Sequence, residues 1–438
     1  MRLNVYRDLL KLGLPIMIGQ LGVIILSFAD TMMVGRYGGG ALGAASFVNN
    51  MFNLVIVFST GFSYGLTPII SNHFGRGDAS GVGRMLRNSL VVNTVAAIAL
   101  MLIMFVLYLF VDRLGQPVEL LPLIRPYYLV LLVSLLFVLL FNAFKQFSDG
   151  ITDTLTPMYI LLGGNLLNIF GNWLLIYGNL GFPEMGLLGA GISTLISRIA
   201  MLLVFVLLFM SARRYRPYKV GFMSSRINTE DSRALYKMGM PVGLQMGMET
   251  ASFSLSTIMV GWLGTMALEA HQVMITVGQL GFMMYYGMAA AVAVKAGYHH
   301  GRGELQGVSD NVSAGFRIIL VMAAMVCIPL FIFRSQIGFL FTDNAGVAAL
   351  VAQLVIPFVV YQFGDGMQCN YSNALRGISD VKKVTRYAFI AYFLVSLPAA
   401  YIMGFIFNWG IVGIWFSFPL GLTTAGLLFY SRYRRSIR

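Results

Sequence analysis

Of the 438 residues, 58% are hydrophobic and only 11% are charged. A soluble domain carries about 25% charged residues, so this chain lacks the charge to coat a water-facing globule of its length. The formal net charge of +13 lies in short basic patches between apolar segments, which reports membrane orientation and excludes the basic face of a nucleic-acid binder.

A helix crossing the hydrocarbon core needs about 20 largely apolar residues. Twelve segments meet that length, some loosely: 9–34, 44–70, 89–111, 121–144, 158–176, 188–210, 235–260, 273–294, 318–333, 347–371, 388–407 and 411–430. They are too long and too continuously apolar for the ten-residue alternation of a membrane barrel. The expected fold is an all-α integral membrane protein of twelve transmembrane helices. Arg36, Arg113, Arg125 and Arg334 fall in loops on one side, and Arg198 falls inside a helix. The other basic residues, from Arg2 and Arg7 to Arg434, Arg435 and Arg438, crowd the opposite face, which is therefore cytoplasmic. Both termini are expected there, in a plasma membrane, and no removed signal peptide is expected because the first apolar run carries Asp30.

The chain repeats itself. An ungapped shift of 226 positions superposes Lys11, Gly13 and Pro15 on Lys237, Gly239 and Pro241, and Met33, Val34 and Gly35 on Met259, Val260 and Gly261. The same shift carries His73, Gly75, Arg76 and Gly77 onto His299, Gly301, Arg302 and Gly303. Six helices per copy is an even number, so the expected arrangement is two six-helix lobes related by a parallel repeat, residues 1–212 and 234–438. A basic cytoplasmic linker over 213–233 joins them. Parallel repeats place a transport site near mid-bilayer.

Three carboxylates, Asp30, Glu249 and Asp365, fall within spanning segments. Each costs about 2.5–3.5 kcal/mol on insertion scales, so each is a functional candidate. Counted from the nearest cytoplasmic base, Glu249 and Asp365 lie about 18 and 16 Å deep, and Asp30 about 28 Å. Such acids either take up a proton or hold a cation with hard oxygen ligands. Tyr361, one turn before Asp365, offers a phenolic oxygen. Asn165, Asn168 and Asn172 stack on one helix face, and with Thr194 they form candidate companions of Asp30. Arg198, one turn beyond Thr194, is expected to pair with Asp30. The Met-rich run holding Met246, with Gln279, Tyr285 and Tyr286, suits a deformable cleft for organic cations.

Cys327 and Cys369 show neither disulfide nor metal spacing, no metalloprotease or serine-hydrolase motif occurs, and no cofactor is expected. The chain is expected to be a monomeric transporter and not an enzyme. The stretches A-D-T-M-M-V-G-R from Ala29, F-S-D-G-I-T-D-T-L-T-P from Phe147, L-L-N-I-F-G-N-W-L-L-I-Y-G from Leu166, E-A-H-Q-V from Glu269, and Y-Q-F-G-D-G-M-Q from Tyr361 with the following A-L-R-G resemble the multidrug and toxic compound extrusion (MATE) transporters, in their NorM-like branch. The resemblance implies two six-helix lobes that export lipophilic cationic compounds against inward Na⁺ or H⁺. It also implies a second-lobe cation site at Glu249, Asp365 and Tyr361 and a first-lobe site at Asp30, Asn168, Asn172 and Thr194. Arg198 departs from that pattern. The alternative is a lipid-linked oligosaccharide flippase of the same superfamily, which needs a basic cavity where this chain is mainly acidic.

Overall fold

The structure, a computed structural model, describes residues 3–38 and 40–437; Arg2 and Arg438 lie outside the described residues. With no water in the hydrocarbon core, a spanning segment must satisfy its own backbone, and no strand occurs among the described residues. In chain order the α-helices are α1 (Leu3–Tyr37), α2 (Ala41–Ser63), α3 (Leu66–Gly75), α4 (Ala79–Leu109), α5 (Leu121–Gly150), α6 (Leu155–Tyr177), α7 (Gly186–Ser211) and α8 (Arg216–Ser224). They continue as α9 (Thr229–Gly261), α10 (Thr265–Gly301), α11 (Leu305–Ile332), α12 (Arg334–Ile337), α13 (Ala345–Gly377), α14 (Val384–Phe389), α15 (Leu397–Tyr401) and α16 (Gly410–Ser436). Between and beyond α14 and α15 the chain winds with the wider π pitch over Ile390–Ser396 and Ile402–Ile406. Eleven helical stretches among the described residues are long and apolar enough to cross a membrane. The expected seventh span falls in α9, which has the length at 33 residues but carries Gln245, Glu249, Thr250, Ser252, Ser254, Ser256 and Thr257 along its middle.

The repeat is visible in the turns. Gly77 and Gly303 take φ of 74° and 73°, which lets the chain reverse so that the amides of Asp78 and Glu304 reach the carbonyls of His73 and His299 at 3.0 and 2.9 Å. The same histidines bind the carboxylates of Asp78 and Glu304 through Nδ1, at 2.9 and 2.6 Å. The hydrogen bond from His299 and the charge of Arg302 hold the Glu304 carboxyl below the usual range. Partial burial raises Asp78, but the Gly81 amide and His73 outweigh it and bring it down. A second repeated turn escapes the 226-residue shift because it is one residue out of phase: G-I-T-D at 150–153 and G-I-S-D at 377–380. Thr152 and Ser379 both have positive φ, and Asp153 and Asp380 close back on Ser148 and Leu375, each at 2.9 Å. Arg214 pairs with Asp153 at 3.2 Å and Arg432 with Asp380 at 2.7 Å.

Packing divides the chain at other points than the expected 212 and 234. One compact unit holds residues 18–243 and the other holds 1–17 with 244–438. Each boundary falls two residues after a proline inside a long helix, Pro15 of α1 and Pro241 of α9. Proline removes a backbone donor and loosens the helix at that turn. The first segment of each repeat thereby packs with the other repeat's unit. Within one unit a Cβ on Gly13 would lie 2.8 Å from Met288 Cε; within the other, a Cβ on Gly239 would lie 2.5 Å from the Phe62 carbonyl oxygen. Those positions match under the 226-residue shift. The expected linker is likewise part of a unit: α8 packs against α4, where a Cβ on Gly83 would lie 2.0 Å from the Tyr218 carbonyl oxygen.

These close approaches differ in what they meet. Gly13 faces the end of a flexible methionine, whereas Gly239 faces backbone. Gly239→Leu is expected to destabilise the purified protein by about 1–3 kcal/mol, with Gly13→Leu costing less, as read by thermal unfolding in detergent; equal losses contradict this packing.

Candidate functional site

In the unit of residues 1–17 and 244–438, Asp365 lies mid-way along α13 between two glycines. A Cβ on Gly364 would lie 2.8 Å from Thr423 Oγ1 of α16, and one on Gly366 would lie 2.7 Å from Ile319 Cγ2 of α11. The absence of side chains lets both helices close on α13, and Asp365 is left 1% exposed. Its Oδ1 accepts from the Cys369 thiol at 3.6 Å, a weak donor, while its Oδ2 has no hydrogen-bond partner. Glu249 of α9 is half-buried, and its Oε2 accepts from Gln368 Nε2 at 3.0 Å and from the Tyr392 hydroxyl at 3.1 Å. Both acids belong to this unit. Neither forms an ion pair among the described residues.

Tyr361 is buried one turn before Asp365, within an aromatic cluster of Phe253, Phe358, Trp415 and Phe418. It makes no hydrogen bond to Asp365 among the described residues. Gln362, on the next position, is fully buried with both amide atoms unpartnered. Gly281 of α10 leaves it room, since a Cβ there would lie 2.9 Å from Gln362 Oε1. The hydroxyl of Tyr285 is also buried without a partner. Buried polar atoms are nearly always hydrogen-bonded, so Asp365 Oδ2, the Gln362 amide and the Tyr285 hydroxyl each carry unfilled hydrogen-bonding capacity. No group of three or more His, Cys, Asp or Glu suited to a metal occurs among the described residues.

The four residues expected to line a cleft do not share one setting. Tyr285 and Tyr286 are buried, Met246 is half-buried and Gln279 is exposed. Missed from sequence were Gln368 and Tyr392, which hold Glu249 directly. Gln368 stands one turn past Asp365 on α13, a readable spacing. Tyr392 gave a fainter signal, a phenol in the π-wound stretch Ile390–Ser396, a winding frequent at functional sites.

In the unit of residues 18–243, Asp30 of α1 is half-buried and accepts a hydrogen bond from Asn172 Nδ2. The Asn168 amide, turned so that its oxygen meets donors, brings its nitrogen to 2.9 Å from Asp30 Oδ1 and accepts from Thr194 Oγ1 at 3.1 Å. The expected first-lobe residues thus come together. The expected pairing of Arg198 with Asp30 does not form: Arg198 donates instead to Ser134 Oγ of α5. A polar acceptor on the adjacent helix holds the guanidinium, while its charge is still felt at Asp30 and Tyr127. Arg198 is also not alone as a buried base. Lys145, 7% exposed, pairs with Asp149 at 2.9 Å, and Arg376, 4% exposed, donates to Gln245 Oε1 at 3.1 Å.

The MatE family profile matches residues 15–174 and 241–402, one stretch in each repeat and together well over half of the chain. Multidrug resistance protein NorM of Photobacterium profundum is 29% identical over 436 residues, which are 98% of this chain and 95% of that protein. The NorM of Vibrio cholerae is 28% identical over 431 residues, 97% of this chain and 94% of its own. Among solved structures, the Vibrio cholerae MATE transporter VcmN superposes with a TM-score of 0.90 at 17% identity, over 99% of this chain and 97% of that one. A MOP superfamily transporter from Pyrococcus furiosus superposes at 0.85 and 20% identity, over 99% and 96%. The fold, the repeated family match and the near full-length relatives agree: this chain is a member of the MatE family of membrane transporters.

Proposed function

We propose that the protein is a secondary antiporter that exports lipophilic organic cations in exchange for Na⁺ or H⁺ by alternating access. One observation carries this reading. Two carboxylates of one unit form no ion pair among the described residues, and the more buried of them, Asp365, keeps an unpartnered oxygen. A carboxylate in hydrocarbon is too costly to be left so, and a visiting cation or proton relieves it. The relatives named multidrug resistance proteins support a drug-like cargo. Export follows if the coupling cation favours one state of the transporter and the cargo the other, since only differential affinity shifts an equilibrium. Asp30 with Asn168, Asn172 and Thr194 forms a second polar site, in which neutral amides already hold the acid. The protein lies in the plasma membrane with both termini and the repeated His–carboxylate turns on the cytoplasmic flank, a reading supported by the basic residues there.

The buried bases Arg198 and Arg376 favour a second reading, a flippase for a lipid-linked pyrophosphate. That reading requires flipping to fall on Arg198→Gln and requires the unaltered protein to export no cationic dye.

In vesicles reconstituted with the purified protein, Glu249→Gln and Asp365→Asn are each expected to cut ion-driven dye export at least tenfold at unchanged expression. Export that persists in both variants under a sodium gradient and under a pH gradient rejects the carboxylate site. Tyr392→Phe removes one donor to Glu249 and leaves the aromatic ring. Hydrogen bonds to charged groups contribute about 1.5–3 kcal/mol; losing one that stabilises the free carboxylate strengthens its hold on an incoming cation or proton, so the driving-ion concentration for half-maximal export is expected to fall about tenfold with little change in maximal rate.

A further inference from the structure

The linker helix α8 combines two features that water does not explain together. Its inner side is docked on α4: Tyr218 and Gly221 are buried, and a Cβ on Gly221 would lie 2.0 Å from the Ser80 carbonyl oxygen. The guanidinium of Arg87 closes its end by donating to the carbonyls of Phe222, Met223 and Ser225 at 3.1, 3.0 and 2.6 Å. Its outer side carries Arg216, Lys219, Val220 and Met223 at spacings of three, four and seven, which share one helix face; the half-buried Lys219 ammonium donates one of its three hydrogens to the Met210 carbonyl and keeps two. Arg226 and Ile227 follow directly. Arg216 and Arg226 are exposed, and so are Val220 at 68%, Met223 at 59% and Ile227 at 57%. Bases and bare aliphatic groups on a single outer face suit a boundary where phosphates meet acyl chains.

The depth agrees. Helix α4 has 31 residues, about 46 Å at 1.5 Å per residue, against a hydrocarbon core of about 30 Å. About 16 Å of the helix therefore stands outside the core, and Ser80 and Gly83, on which α8 rests, lie in its first two turns, ahead of the apolar run that starts at Ser89. We infer that α8 lies in the headgroup layer as an interfacial anchor, with Arg216 and Lys219 binding the phosphate of an anionic phospholipid while Val220 and Met223 enter the acyl boundary. Charge complementarity selects an anionic lipid, and continuity with the lipid-facing surface of α4 selects the bilayer over a soluble phosphate. This inference needs neither the cargo nor the coupling ion to be known.

The test uses the full-length chain carrying Val220→Cys labelled with an environment-sensitive fluorophore, the two native cysteines being buried. Mixed micelles supply phosphatidylglycerol or phosphatidylcholine with brominated chains as quencher. Quenching is expected to be several-fold stronger with the anionic lipid. Each base near an anionic surface contributes about fivefold in affinity, so Arg216→Gln with Lys219→Gln should raise the half-quenching lipid fraction roughly twenty-five-fold. The charge-preserving pair Arg216→Lys with Lys219→Arg should retain binding. Equal quenching by both lipids, absence of quenching by either, displacement of the anionic lipid by millimolar inorganic phosphate, or loss of binding in the charge-preserving pair would each overturn the inference.

Discussion

The constraint on which this structure turns is the placement of an acid where water is scarce and, among the described residues, no base comes within ion-pairing distance. For Asp365 the local sequence enforces that position from both sides. The glycines before and after it admit α16 and α11 to backbone range of α13, and such small-residue contacts are how membrane helices pack closely. The carboxylate is therefore not a surface group that happens to face inward. Its isolation is built by its neighbours, and the same neighbours leave Gln362 and one carboxylate oxygen without partners. A purely structural role would favour the opposite arrangement, in which each lone pair meets a donor, because a half-satisfied buried network is less stable than an apolar one.

The two prolines give that site its covalent frame. Because α1 and α9 divide after Pro15 and Pro241, each compact unit contains the opening segment of the other repeat. Glu249 stands eight residues past Pro241 on α9, in the part of the helix that belongs with α13 and the π-wound stretch. Gln245, one turn before it, is held by Arg376. Glu249 and the helix division are thus separated by about two turns. The matching stretch of α1 after Pro15 carries Val23 at the position of Glu249. Duplication preserved the geometry of the crossing and placed the acid in only one copy.

What was legible in the sequence follows from which signals are local. Span lengths, basic flanks and the His-x-Gly-Arg-Gly turns are set by residues close in the chain, and the repeat multiplies them. Helical rise converts sequence offset into depth, which is how Glu249 and Asp365 are expected at one level; Arg376, the base from which Asp365 is counted, is itself buried. Azimuth was not readable. Whether Arg198 turns toward Asp30 or toward Ser134 depends on the packing of α7 against α5, which no residue spacing reports. Tyr392 is hidden for the same reason, with the added effect of a π winding that shifts the face a residue presents. The docking of α8 within the basic linker at 213–233 was not legible, because it depends on missing side chains at Gly83 and Gly221, and absence carries no hydropathy signal.

The two acid sites differ in how much room they leave for an occupant. Asp30 receives donors from Asn172 and Asn168, and Asn168 is itself tied to Thr194. Those amides are neutral, so they stabilise the ionised acid without cancelling its charge. An entering cation gains Coulomb energy there but must share the oxygen already engaged. At Asp365 the comparison reverses: Oδ1 has only a thiol, Oδ2 has nothing, and the adjacent amide of Gln362 is unclaimed. Binding there displaces no existing hydrogen bond and supplies missing ones. Since an unsatisfied buried polar group costs about 1–3 kcal/mol and more when charged, occupancy releases that cost in full. Of the two acids, Asp365 therefore has more hydrogen-bonding capacity left unfilled than Asp30.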